Sequence, residues 1–175
     1  VSFLSGCSIA PKTYKETVLD DMYPILVTAE YDSLRSLGSD AEVNEFLEAF
    51  WQECDSLPGV GGGTTKSEYQ ERLVYAKEHF PDRPGWGRSD RKRIYLQYGP
   101  PASVERGPYV DARLGTFSTV KSVEVWLYFA PGRNHAFPTR HDGLFPGQMR
   151  FVFGDLNGTG FYTLLYSSED QRDID

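Results

Sequence analysis

Apolar residues recur at helical spacing through the first half of the chain and at shorter intervals through the second. Pro24 to Leu37 reads as a lead-in and a short helix, with Thr28 as a cap, Tyr31, Leu34 and Leu37 on one face and Gly38 as a stop. Ser39-Asp40-Ala41-Glu42 is a capping box, in which serine and glutamate each satisfy an amide at a helix start. Behind it Val43, Phe46, Leu47, Phe50, Trp51 and Cys54 form one continuous apolar stripe. Pro58 and four glycines break the pattern between Asp55 and Gly63. Thr65-Lys66-Ser67-Glu68 reads as a second capping box, opening a helix whose Tyr69, Leu73, Ala76 and Phe80 share a face and which Pro81 and Pro84 end.

From residue 91 the period changes to two. Ile94, Leu96 and Tyr98 alternate with Arg93, Tyr95 and Gln97, which predicts a half-buried strand stopped by Gly99-Pro100-Pro101. Val123 to Phe129 is almost uniformly apolar and suits a central strand. Met149 to Phe153 and Phe161 to Tyr166 flank a segment containing Asn157-Gly158, a hairpin-turn signal. A long loop with three prolines, Ala130 to Gln148, separates the second and third strands. The expected class is α+β: N-terminal helices packed on a small antiparallel sheet formed by the C-terminal half.

The first residues suggest an address. Leu4-Ser5-Gly6-Cys7 looks like the lipobox of a bacterial lipoprotein precursor, in which small residues precede the cysteine that receives lipid. Most of the apolar signal segment would then lie upstream of Val1. The competing reading makes Val1 to Leu4 a buried strand and Cys7 a core residue. On the lipoprotein reading, residues 1–6 are a signal remnant, 7–21 a lipidated tether, 22–166 the folded domain and 167–175 an acidic tail. Each buried methylene adds about 0.8 kcal/mol and stable anchoring takes two or more chains, so a three-chain lipid on Cys7 would hold permanently. Ser8 rather than Asp after the cysteine resembles the outer-membrane-sorted class.

An ordered set of short motifs spans residues 22–166: Phe50-Trp51 with Asp55, Arg72 with Tyr75-Ala76 and Phe80, Pro84-Gly85-Trp86 with Ser89-Asp90, Arg93-Ile94-Tyr95, Tyr98-Gly99-Pro100-Pro101, Glu124-Val125-Trp126 with Tyr128, and Phe151-Val152-Phe153 with Asp155. This order resembles the GWxTD domain. The resemblance implies a bacterial protein, secreted or lipid-anchored, with no assigned biochemical activity. Two features depart from the pattern. Gly87 and Arg88 both intervene after Trp86, with Ser89 in place of Thr, and Cys54 stands where an Arg is usual.

The signature has a structural rationale. Gly85 and Gly87 permit positive φ or close backbone approach beside a large ring, Trp86 can fill a gap between helices and sheet, and Ser89 or Asp90 can accept backbone amides to fix the turn before the next element. A binding surface is the alternative, made of Gly85, Trp86, Arg88, Ser89, Asp90, Arg93, Tyr95, Tyr98, Glu124 and Trp126. Arg83, Arg88, Arg91, Lys92 and Arg93 could face an anionic lipid headgroup or an acidic partner, or form a solvated rim.

Apparent active sites weigh less. Gly59 to Ser67 lacks the glycine that a phosphate loop needs immediately before its lysine. His135, His141 and Asp142 lack helical i, i+4 spacing and a nearby cysteine, so no metal is expected. Glu124 and Asp155 could form the carboxylate pair of a periplasmic hydrolase; more simply, Glu124 pairs with a base such as Arg93 and Asp155 shapes a turn. Cys54 reads as an inert buried thiol, and Asn157-Gly158-Thr159 as turn chemistry rather than a glycosylation site.

Composition narrows the function classes. Eleven Tyr, eleven Phe and three Trp in 175 residues supply much of the apolar area for a core and also common interface anchors. A net charge of −7 argues against general nucleic-acid binding, and no run of about 20 apolar residues provides a helical membrane span. The expected role is a lipid-anchored envelope protein that binds another protein or supports an assembly, without catalysis and without cofactor beyond the lipid on Cys7. Alternatives are the Glu124/Asp155 hydrolase and a small-molecule or sugar-binding module stacking ligands on Trp86 or Trp126.

Overall fold

A computed structural model describes residues 11–56, 65–107, 120–129 and 148–168. Among the described residues five helices precede four strands: α1 (Tyr14–Met22), α2 (Thr28–Ser36), α3 (Asp40–Ser56), α4 (Thr65–His79), α5 (Asp90–Tyr98), then β1 (Ser103–Gly107), β2 (Ser122–Phe129), β3 (Gln148–Asp155) and β4 (Thr163–Ser167). The strands form one antiparallel sheet in the order β1-β2-β3-β4, so the fold is α+β with its sheet drawn from the C-terminal half.

The chain divides into two compact units, Val1–Phe50 and Trp51–Asp175. In the first, α1 occupies residues 14–21 that the sequence reading assigns to the tether. Its Thr13 and Glu16 form a full capping box, with the Glu16 carboxylate accepting the Thr13 amide at 2.8 Å and the Thr13 hydroxyl accepting the Glu16 amide at 3.3 Å. Val18, Leu19 and Met22 bury its inner face. Lys15 Nζ donates to the Arg35 and Leu37 carbonyls at 3.2 and 2.6 Å, placing a cation on the unpaired C-terminal carbonyls of α2. The N-cap of α2 is Val27 rather than Thr28, and Glu30 accepts the Val27 amide at 3.0 Å. The box at Ser39 and Glu42 forms as the sequence predicts.

In the second unit Thr65 is the first residue of α4, and both its amide and its hydroxyl donate to Asp55 Oδ1. Tyr69, Arg72 and Ala76 are buried along α4, whereas Leu73 is half-buried and Phe80 lies just beyond the helix end. The predicted stripe along α3, whose residues 40–50 belong to the first unit, is present, with Val43, Phe50, Trp51 and Cys54 buried and Phe46 and Leu47 half-buried.

The segment predicted as the first strand is instead α5. Ser89 caps it, its hydroxyl accepting the Lys92 amide at 3.4 Å, and Gly99 ends it at φ 76° with its amide donating to the Tyr95 carbonyl. Ile94 and Tyr98 stand four residues apart, one turn of helix, and face the sheet. Leu96 is buried as well. Burial on more than one side of a short helix imitates a period of two. The actual first strand, β1, carries the unpromising sequence Ser-Val-Glu-Arg-Gly and lies at an edge.

Both sheet faces are apolar along the central strands. One carries Trp126, Tyr128, Met149, Phe151 and Phe153 against Ile94 and Tyr98, with Phe80, Tyr95, Tyr162 and Leu164 around them. Its rings meet mainly tilted or edge to face, as Trp126–Phe153 at 5.0 Å, Phe80–Trp126 at 5.2 Å and Tyr128–Phe151 at 5.7 Å. The other face carries Val123, Val125 and Val152. Between Val152 and Phe153 the register slips by one, leaving Leu165 as an extra residue on β4. Gly154 sits beside this bulge, where a Cβ would lie 2.5 Å from Leu165 Cδ1.

Candidate functional site

The signature loop runs from the end of α4 into α5. Pro84 and Gly85 (φ 80°) form the corner of a tight turn in which the Trp86 amide donates to the Arg83 carbonyl at 3.0 Å, and Gly87 follows at φ 90°. Both glycines adopt the positive φ that the sequence suggests. Asp82 holds the loop closed: its Oδ1 accepts the Ser89 amide at 2.8 Å and its Oδ2 pairs with Lys92 Nζ at 2.6 Å. Sequence reading misses Asp82, although Pro-Asp ahead of a Pro-Gly turn is an available signal.

Trp86 does not fill an interior gap. It is 49% exposed at the turn tip, touching Phe161 at 5.7 Å between ring centroids. The five basic residues also separate. Lys92 is buried against Asp82, Arg91 is inserted into the core rim, and Arg93 Nη1 donates to Gln97 Oε1 at 3.4 Å; Arg83 and exposed Arg88 flank the tip.

The first turn of α5 is bolted to the β3–β4 hairpin. Asp90 Oδ2 accepts the Leu164 amide of β4 at 2.8 Å. The Arg91 guanidinium lies between the rings of Phe80 (5.1 Å) and Tyr162 (4.1 Å) and donates to the Gly160 carbonyl at 3.3 Å. Arg83 donates to the Thr159 carbonyl at 3.0 Å.

Glu124 is the centre of this arrangement. Its side chain is 3% exposed, on the aromatic face of β2, and its partner is not Arg93. Oε1 accepts the Trp126 indole N–H at 2.5 Å, and Oε2 accepts Arg106 Nε from the directly opposed position on β1 at 2.9 Å. Arg91 Nη1 approaches Oε2 to 3.6 Å. Burial pulls the Arg91 guanidinium below the ordinary arginine value, and the Glu124 carboxylate is the strongest influence opposing that shift.

Asp155, the other carboxylate of the hydrolase reading, closes the β3–β4 turn. It accepts the amides of Asn157, Thr159 and Gly160 at 3.2, 3.1 and 2.7 Å. Burial pushes its pKa up, but the bonds from Gly160, Thr159, Asn157 and Gly158 outweigh this and hold it below 3.8. A carboxyl lowered on folding stabilises fully above its unfolded value and loses that contribution as pH falls through its folded value. The stability gap between wild type and Asp155→Asn is therefore expected to be constant above about pH 5. It should narrow as pH falls below 3.8, as urea titrations across pH can measure.

Tyr95 and Tyr98 point into the aromatic layer rather than to a ligand surface. Tyr95 lies 6.3 Å from Trp126 and Tyr98 lies 5.3 Å from Phe151, and Trp126 itself is 1% exposed. Cys54 is buried, and burial, followed by the charges of Glu53 and Asp55, pushes its thiol up to about 11. Iodoacetamide at pH 8 is expected to leave Cys54 unmodified in the folded protein and alkylate it in denaturant, as peptide mass mapping would reveal.

Among the described residues no group of three or more His, Cys, Asp or Glu side chains could hold a metal ion, and no helix is long and apolar enough to cross a membrane. Cys7, the glycine loop before Thr65, His135, His141 and Asp142 lie outside the described residues. Protein-family models, curated proteins and solved structures yield no match to this chain.

Proposed function

We propose that this protein is a lipid-anchored component of the bacterial envelope, of GWxTD type, tethered through lipid on Cys7 to the outer membrane, facing periplasm or exterior. Its folded domain acts without catalysis, as a protein-binding or accessory subunit of a membrane-associated assembly. The observation that carries the non-catalytic part is the commitment of the acidic groups. Glu124 is bound by Trp126 and Arg106 with Arg91 beside it, and Asp155 by three turn amides. A glycoside hydrolase of the two-carboxylate kind needs one carboxyl to give up a proton and another to attack or activate water; here the oxygens of both groups are engaged by protein donors.

The anchor rests on Leu4-Ser5-Gly6-Cys7. The partner role draws support from large apolar side chains exposed among the described residues, such as Val74 and Tyr75, neighbours on α4 that are 68% and 42% exposed. Expression in a diderm bacterium followed by fractionation tests the anchor. Wild type is expected in the membrane pellet and Cys7→Ser in the soluble fraction with its fold intact, as judged by circular dichroism. Wild-type protein in the soluble fraction would refute the reading.

A further inference from the structure

Two adjacent turns make a projecting aromatic tip. The first presents Trp86, and residues 84–88 are exposed throughout. A Cβ placed on Gly85 or Gly87 would meet nothing within 4 Å, so the backbone on either side of Trp86 is open, and the ring itself is half exposed. The second turn, between β3 and β4, adds Phe161 against Trp86 and Leu156, which is 42% exposed. Arg83 and Arg91, through their bonds to Thr159 and Gly160, lock the turns together. Basic side chains surround the tip although the chain as a whole is acidic: Arg83 over the Phe161 ring at 5.9 Å, exposed Arg88, and exposed Lys121, whose stem lies 3.8 Å from a Cβ placed on Gly158.

We infer that this tip is a second, non-covalent membrane contact, which seats Trp86 at the headgroup level of an anionic bilayer with Arg83, Arg88 and Lys121 toward lipid phosphates. A tryptophan suits that layer because its body is apolar and its N–H stays wet. A half-exposed indole on an exposed turn, with cations beside it, is accommodated by a fluid anionic interface, whereas an acidic protein would need a matching concave pocket. The inference rests on the anchor reading only in that the anchor brings the domain to a membrane. The tip would orient it there.

The structure supplies its own probe. Of the three tryptophans, Trp51 and Trp126 are 7% and 1% exposed, so a change of emission on vesicles reports Trp86. The experiment uses full-length Cys7→Ser protein without lipid, titrated with phosphatidylglycerol–phosphatidylcholine vesicles and with phosphatidylcholine alone. The expected result is a blue shift on the anionic vesicles that weakens with salt and is absent in Trp86→Phe. Arg88→Gln and Lys121→Gln should each weaken partitioning about fivefold. Unchanged emission on anionic vesicles, or an equal shift in Trp86→Phe, overturns the inference. A shift with soluble polyglutamate but not with vesicles assigns the tip to an acidic protein and also overturns it. Because this protein carries no lipid, failure here leaves the anchor standing or falling separately, on the fractionation of lipidated wild type.

Discussion

Replacing Glu124 by alanine is expected to destabilise the domain by about 3–5 kcal/mol, the range for removing one partner of a buried ion pair. The substitution leaves the Arg91 guanidinium without its carboxylate and the Trp126 N–H without its acceptor. Against a typical total of about 5–15 kcal/mol, that loss should move the urea midpoint far enough to see in any standard titration. Arg106→Ala is the control. Its side chain is 69% exposed while Glu124 is 3% exposed, so solvent screens the Arg106 side of the pair and about 0–1 kcal/mol is expected. The contrast separates a structural carboxylate from a catalytic one. A catalytic Glu124 would tolerate Gln with its stability kept, whereas here Glu124→Gln forfeits the charge that offsets Arg91 and should lower the midpoint as well.

The second large effect falls on the neighbouring ring. Trp126→Ala is expected to cost about 3–5 kcal/mol, because it empties the space between Phe80, Tyr95 and Phe153. Trp126→Phe keeps a ring but removes the N–H, leaving Glu124 Oε1 short of a donor, and about 1–3 kcal/mol is expected. The two residues share one hydrogen bond, so their substitutions should not add. A double-mutant cycle on Glu124 and Trp126 is expected to show coupling of about 0.5–3 kcal/mol. Additive effects would mean that the indole and the carboxylate do not act together in solution.

The legible parts of the sequence are those where one local rule dominates. The α3 stripe has a single apolar face and a reciprocal cap at Ser39 and Glu42, and it forms as read. The pair β3 and β4 forms around Asn157-Gly158, with Asp155 as the turn residue expected. The α5 segment is different because two rules conflict. Alternation of Ile94, Leu96 and Tyr98 argues strand, whereas Ser89-Asp90 in front and Gly99-Pro100 behind are the start and stop of a helix. The termini carry the decisive signal. A helix buried on several sides loses its own period, but its ends must still satisfy their amides and carbonyls.

Other differences have similar causes. The α1 cap at Thr13 and Glu16 is present in the sequence, yet its helix has a short apolar face in a polar stretch and reads as tether. The β1 strand has one apolar residue and is specified by pairing with β2, which no local pattern announces. The candidate site divides the same way. Positive φ at Gly85 and Gly87 and the Ser89 cap follow from residue type alone. The choice of Arg91 over Arg93 depends on which way α5 turns, since reading a helix as a strand points those side chains elsewhere, and Arg106 reaches Glu124 only through the β1–β2 register.

The proposed role joins a structural domain to a bilayer by one covalent link, so the chemical state of Cys7 tests it most directly. Intact-mass and peptide mass spectrometry of protein extracted from the membranes of a diderm host should show a chain beginning at Cys7 with lipid attached. Protein from the same membranes with a bare thiol at Cys7 would contradict the account.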